Sequence, residues 1–291
     1  AVVDQLPATP QRRATWWPAG RTSTMNKFVT IGLAAAAVLV LVFVGAQLMG
    51  SPRGPGGPGA ATPTPTATET PTPARSTPPA LPEAGVPQGE YVVTGADDAV
   101  QVTFDIGSAG WIPLPEFDAL TKDDDGLDPP DSVGAALLAW GWPAGTGINV
   151  YGDPCQWLTT SPETPAMTPD DIAAAFAAQA ETNPTASTDV TVNGFAGKAI
   201  TLHVPMSYDL PNATREEKFA DCDEDAFAFY GVGSEAGHAR NAQGAGQIDE
   251  LWILDVNGAI VILDATYSPA TPPALVEELR TMAESATFEA P

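Results

Sequence analysis

The run 28–49, FVTIGLAAAAVLVLVFVGAQLM, constrains this chain more than any other stretch. It holds 22 residues, no charge and one amide, Gln47. As a helix rising about 1.5 Å per residue it reaches roughly 33 Å, enough to cross a hydrocarbon core of about 30 Å. A span there divides the chain into a tail at 1–27, a connector at 50–89 and a folded portion at 90–291. Arg12, Arg13, Arg21 and Lys27 precede the run against Asp4 alone, and only Arg53 follows closely. This bias predicts a cytoplasmic N-terminus and an exported remainder, a single-pass protein of the cell membrane. The alternative is a cleaved signal peptide beginning at Met25, with Val44-Gly45-Ala46 as the cleavage site. Its apolar run exceeds the usual length of about 7–15 residues.

The flanks support that division. Residues 1–24 lack apolar periodicity and carry Pro7, Pro10 and Pro18, so no packed structure is expected of them. Trp16 and Trp17 beside Arg12 and Arg13 suit the headgroup level of a bilayer. Residues 50–89 hold 11 prolines among many Thr and Gly, a composition that favours polyproline II over a core. At about 3.1 Å per residue such a spacer would hold the next domain tens of ångströms from the membrane.

Of the chain's net charge of −24, the strongly acidic part lies beyond residue 89. Residues 90–291 carry six Lys/Arg against 33 acids. A surface this acidic repels phosphate backbones, so nucleic acid is not expected as a partner; the acidity reads as a device for solubility, with attraction of cations or a basic partner as the alternative. The two cysteines, Cys155 and Cys222, both fall on the exported side. An even pair in an oxidising compartment most often forms a disulfide; metal ligation and a reactive thiol are the alternatives.

Strands are expected at 91–94 and 100–106, where Val100, Val102, Phe104 and Ile106 alternate with polar residues. Trp111 should close that sheet's core. The apolar runs 135–142 and 148–151 read as paired strands. Thr168-Pro169-Asp170-Asp171 combines an N-cap, a first-turn proline and first-turn acids, and predicts a helix to about 179–181. Its inner side carries Ile172, Ala175, Phe176 and Gln179. Two hairpins turn on Asn-Gly: 189–192 with 196–204, and 251–256 with 259–265. The second is the most apolar part of the domain and should form the centre of its sheet. A short strand at 226–232 lies between them. Thr271-Pro272 is expected to cap a last helix with Leu275, Leu279 and Met282 on one stripe, followed by a short closing strand or tail at 287–289. The fold class is α+β, an antiparallel hairpin-rich sheet packed against helices.

Several of these segments together carry a resemblance. VYGDPCQW (150–157), TPDDIAAAFAAQ (168–179), TDVTVNGFAGKAITLHVP (188–205), DCDEDAF (221–227) and GQIDELWILDVNGAIVILDATY (246–267) resemble a group of actinobacterial and Chloroflexi single-pass membrane-anchored proteins. The order of elements resembles the PsbP-type α+β sandwich. The resemblance implies a Cys155–Cys222 disulfide and an extracytoplasmic location, and it carries over no catalytic residue. In some relatives similar segments follow regulatory cytoplasmic regions of the anti-sigma or signalling type.

Functional candidates are sparse. Ser207 and Ser234 with His203 and His238 lack a nucleophile elbow, so serine catalysis is not expected. Asp249 and Glu250 are the best-placed carboxylates. With Gln247 and His238 they form the candidate binding pocket, at the sheet edge, against the plainer reading of a structural role in hydrogen bonding at the turn and strand start. Asp221, Asp223, Glu224 and Asp225 lack the glycine and spacing of a calcium loop, and the acidic run 123–131 has Asp128 where that loop requires its glycine. Trp140, Trp142, Trp157 and Trp252 read as core or disulfide-packing residues; jointly exposed, they would mark a glycan or peptide surface. Neither a metal nor a cofactor is expected. The reading that follows is a non-enzymatic sensor or binding domain for a peptide, an envelope component or a protein partner. A structural adaptor of the envelope is the alternative, with an envelope hydrolase behind it.

Overall fold

The computed structural model describes residues 79–80, 86–94, 100–114, 117–123, 129–210, 213–231 and 239–289. The expected tail, span and most of the spacer lie outside these. Among the described residues no helix is long and apolar enough to cross a membrane.

The described chain opens with strands β1 (Gly89–Thr94), β2 (Gln101–Ile106), β3 (Ile112–Leu114), β4 (Ala119–Lys122), β5 (Ala135–Trp142) and β6 (Asn149–Val150). Helix α1 (Pro169–Ala177) leads to the hairpin of β7 (Thr188–Val192) and β8 (Phe195–His203). The four-residue helix α2 (Arg215–Lys218) precedes β9 (Ala228–Gly231) and β10 (Ala239–Asn241). The hairpin of β11 (Ile248–Val256) and β12 (Ala259–Tyr267), helix α3 (Pro273–Glu284) and β13 (Thr287–Glu289) complete it.

Among the described residues these strands form one seven-stranded sheet, ordered β3-β4-β5-β12-β11-β8-β7, and two three-stranded sheets, β1-β2-β13 and β10-β9-β6. Every strand pair is antiparallel. The large sheet is covered on both faces. On one, Trp252, Leu254, Val261 and Leu263 pack with Leu275, Leu279 and Met282 of α3 and with Val102, Phe104 and Phe288. On the other, Leu251, Ile253, Ile260 and Ile262 pack with Ile172 and Phe176 of α1 and with Phe227, Phe229 and Tyr230. All nine residues of β12 are buried, which is why its sequence is nearly continuous in apolar residues instead of alternating. The expected layout of sheet against helices is therefore corrected in its proportions. Each face is covered by one helix and one small sheet, and the described fold is mostly strand.

Local signals act where expected. Both hairpins close through two residues with positive φ, Asn193 and Gly194 at 46° and 88°, Asn257 and Gly258 at 55° and 91°. That is the type I′ geometry, whose twist matches that of the flanking strands. Thr168 Oγ1 accepts from the Asp171 N–H at 3.1 Å and opens α1. Trp111, Trp142 and Trp157 are buried to within 2 % and Trp252 to 7 %, while Trp140 is half-buried and packs on Trp142 and Tyr230, so these rings serve the core and form no joint exposed surface.

Two expectations are overturned. The segment at 148–151 does not pair with β5, because both edges of β5 are already occupied, by β4 and β12. Its strand, β6, pairs with β9 instead. Thr271 does not cap α3 with its side chain; Pro272 stands at the cap position. The Thr271 hydroxyl is buried and donates to Gly134 O at 2.8 Å while accepting from Ser268 N–H at 3.2 Å. It ties the helix approach to the loop before β5.

Gly197 in β8 shows how tightly the central strands are stacked. A Cβ there would lie 2.0 Å from the Ile253 carbonyl oxygen, a backbone atom that cannot step aside. Gly197→Ala is expected to destabilise the domain by about 1–3 kcal/mol through overpacking. Urea unfolding should show a lower midpoint with an unchanged slope.

Candidate functional site

Strand alternation divides the residues proposed as one pocket. Asp249 and Glu250 are consecutive on β11, so their side chains leave opposite faces of the sheet. Nor is β11 at an edge: β12 and β8 flank it. Gln247 and Asp249 come together on the α1 face, Glu250 sits alone on the α3 face, and His238 lies outside the described residues.

On the α1 face, Asp249 belongs to a buried ionic cluster. Arg240 from β10 donates from Nη2 to Asp249 Oδ1 and from Nε to Asp264 Oδ2 of β12, both at 2.6 Å. Nη1 donates to the Asn241 carbonyl oxygen. Gln247 Nε2 donates to both Asp249 oxygens at 2.9 and 2.8 Å, and its Oε1 accepts from the Gln243 N–H at 2.6 Å. The exposure of Arg240, Asp249 and Asp264 is 3 %, 1 % and 0 %. The guanidinium also stacks over the Phe229 ring, 5.9 Å from its centre. Burial drives the Asp249 carboxyl upward; Arg240 opposes this, Asp264 adds to it, and the group is pushed up to about 7. Burial and the nearby Asp264 hold the Tyr230 phenol well above its usual range. With no solvent access, the cluster's chemistry is electrostatic: it fastens the β10-β9-β6 sheet to the central strands.

The α3 face carries an open site. Thr188 of β7 pairs with Ala199 of β8. Upstream, Thr185 rejoins β8, its N–H donating to Thr201 O and its Oγ1 accepting from the Thr201 N–H, each at 3.0 Å. Three residues on one strand thus span two on the other, and the ladder opens between them. A groove of about 320 Å³ forms there, lined by Thr185, Thr188, Thr201, Glu250 and Trp252 among others. Glu250 is fixed from beneath: Arg280 donates to it from Nε at 2.8 Å and from Nη2 at 2.5 Å, and the Tyr267 hydroxyl donates at 2.5 Å. Burial pushes the Glu250 carboxyl up, but these bonds outweigh it and hold the group below the usual carboxylate range. His203, at the end of β8, leaves the same face, with its buried Nδ1 unpartnered. The groove presents hydroxyls and a fixed carboxylate beside β7, one of the two edge strands of the sheet with β3.

Three of the remaining candidates, Cys155, Cys222 and Asp223, have structural duties. Cys155 and Cys222 form a disulfide. A stable disulfide belongs to an oxidising compartment, so the domain is of extracellular or lumenal type. In the acidic segment, Asp223 Oδ2 accepts from the Leu158 N–H, and the Asp223 carbonyl oxygen accepts from Trp157 Nε1, both at 2.9 Å. Among the described residues no group of His, Cys, Asp and Glu is arranged to hold a metal ion. Ser234 and residues 124–128 of the other acidic run lie outside the described residues.

Arg240 and Asp264 were not anticipated. Asp264 had a visible signal, a carboxylate inside AIVILDATY, the most apolar strand of the chain. A charge there requires a buried cation, and Arg240 is one of only six Lys/Arg in 90–291. Arg280 and Tyr267, which fix Glu250, left no such mark.

No family model matches the chain, and no curated protein matches it. It is similar to the solution structure of cyanobacterial PsbP (CyanoP) from Synechocystis sp. PCC 6803, at 13% identity and a TM-score of 0.29, over 75% of this chain and 100% of that one. At that score the likeness supports no conclusion about this chain.

Proposed function

We propose that the protein is a non-enzymatic binding or sensor domain, held outside the cell membrane by a span at 28–49 on the 50–89 spacer. Its ligand is an extended, basic peptide segment of an envelope protein, added as a strand to β7. The carrying observation is the outermost position of β7, with a hydroxyl- and carboxylate-lined groove opening at its start. An edge strand offers main-chain donors and acceptors to an incoming strand, and the groove receives alternate side chains. The acidity of 90–291 supports a cationic partner. The disulfide supports an exported domain, and the sequence motifs support the single-pass, PsbP-type reading. The same layout suits the outer half of a signalling or anti-sigma-type regulator.

The test uses the full chain in lipid nanodiscs, titrated with an alternating Lys-Val peptide and read by hydrogen exchange. Protection is expected across 185–201. Thr188→Trp, which fills the groove, should weaken binding about tenfold, a loss of roughly 1.4 kcal/mol. Protection confined to other segments, an absence of binding or cleavage of the peptide would each overturn this reading. Protease added to intact cells should remove 90–291; its survival would overturn the topology.

A further inference from the structure

Beneath the sheet, away from the groove, the Arg240 cluster has an imbalance that its hydrogen bonds do not resolve. One guanidinium faces two carboxyl groups, all within 3 % of complete burial. If both carboxyls were ionised, the cluster would carry an uncompensated negative charge with no water to solvate it, a costly arrangement in a low-dielectric interior. The bonding is uneven as well. Asp264 Oδ2 is taken by Arg240 Nε, but Asp264 Oδ1 is buried without a donor. Asp249 and Asp264 meet on the same guanidinium, one held by Nη2 and the other by Nε. Two carboxylates in contact repel; a carboxyl and a carboxylate form a short, charge-assisted bond.

We infer that Asp249 and Asp264 share one proton, which supplies the missing donor, makes the cluster neutral and turns it into an acid-stabilised latch between the β10-β9-β6 sheet and the central strands. The elevated Asp249 carboxyl agrees with this. The proton belongs to the pair, whichever carboxyl formally holds it. The groups facing it are Arg240 from β10, Tyr230 from β9, and Gln247 beside Asp249 on β11. Burial works against the Arg240 charge, but Asp264 and Asp249 outweigh it and hold the guanidinium above its usual range, and the phenol of Tyr230 stays neutral. The Asp249 carboxyl is thus what titrates near neutrality. His203 is on the other face of the sheet.

The sign of the pH dependence follows. Asp249 binds its proton more tightly in the folded state, at about 7, than at its ordinary 3.8. Folded protein therefore holds more protons between these values, and its stability falls as pH rises through them. Relative to Asp249→Asn, which keeps a donor toward Asp264 but cannot ionise, the wild-type unfolding constant should rise about tenfold per pH unit between roughly pH 5 and 6. The measurement is denaturant unfolding of the full chain in detergent micelles, wild type beside Asp249→Asn across the same pH series. Parallel pH profiles would overturn the inference. If Asp249→Asn fails to fold, infrared spectra of the wild type labelled with carboxyl-13C aspartate decide it. A protonated-carboxyl stretch persisting at pH 6 and lost above pH 8 supports the shared proton; its absence at pH 6 refutes it.

Discussion

Arg240→Met is expected to lower the stability of the domain by about 3–5 kcal/mol, the largest effect of any single substitution considered for it. Removing the guanidinium leaves Asp249 and Asp264 facing each other without a cation and strips two 2.6 Å charge-assisted bonds. It also removes the stacking partner of Phe229. The residue joins β10 to β11 and β12, so the loss should spread along the seam between two sheets. Far-UV circular dichroism during urea unfolding measures it. The deficit should shrink as pH falls, because both carboxyls can then be neutral. Replacing all three groups together, Arg240→Met with Asp249→Leu and Asp264→Leu, should recover much of the loss, since a dry apolar cluster needs no counter-charge. A near-neutral single variant at pH 7 would mean that water reaches the cluster.

Opening the disulfide is the second large effect. Cys155 and Cys222 are 67 residues apart. Cross-linking a loop of that length is worth about 4 kcal/mol in the chain-entropy picture, through the unfolded state. Folded contacts also gather around the bridge. The Asp223 N–H donates to Cys155 O at 2.8 Å and the Ala228 N–H to Pro154 O at 2.9 Å. Phe219, Phe227 and Tyr208 stack beside it. Cys155→Ala with Cys222→Ala should therefore lower Tm and the urea midpoint, and reductant should do the same to the wild type but nothing to the double variant. Two free thiols found by mass spectrometry in protein from the exported compartment would remove the bridge and the compartment assignment together.

These two effects differ in how readily they were foreseen. The cysteine pair stood out by number and by its side of the expected span. The ionic cluster did not, because Arg240, Asp249 and Asp264 become neighbours only when three strands align. Adjacency in sequence was actively misleading for Asp249 and Glu250: two acids in a row invite a shared site, and a period of two sends them to opposite faces. That much the strand pattern already contained, once β11 was known to begin at Ile248 and not at Leu251.

What the sequence alone determined was local. Asn193-Gly194 and Asn257-Gly258 set the hairpins and their registers, because few residue pairs adopt positive φ at both central positions. Thr168 and Pro169 set the start of α1, and the apolar run of β12 announced a strand buried on both faces. Each of these depends on neighbours a few residues apart. Tertiary structure decided which edge β6 could join, that Thr271 serves the loop before β5, and which charges share a buried space. Those outcomes depend on the strand edges still free and on the groups brought opposite one another once the sheet has closed, and such competition between distant segments leaves no mark in any single stretch of the chain.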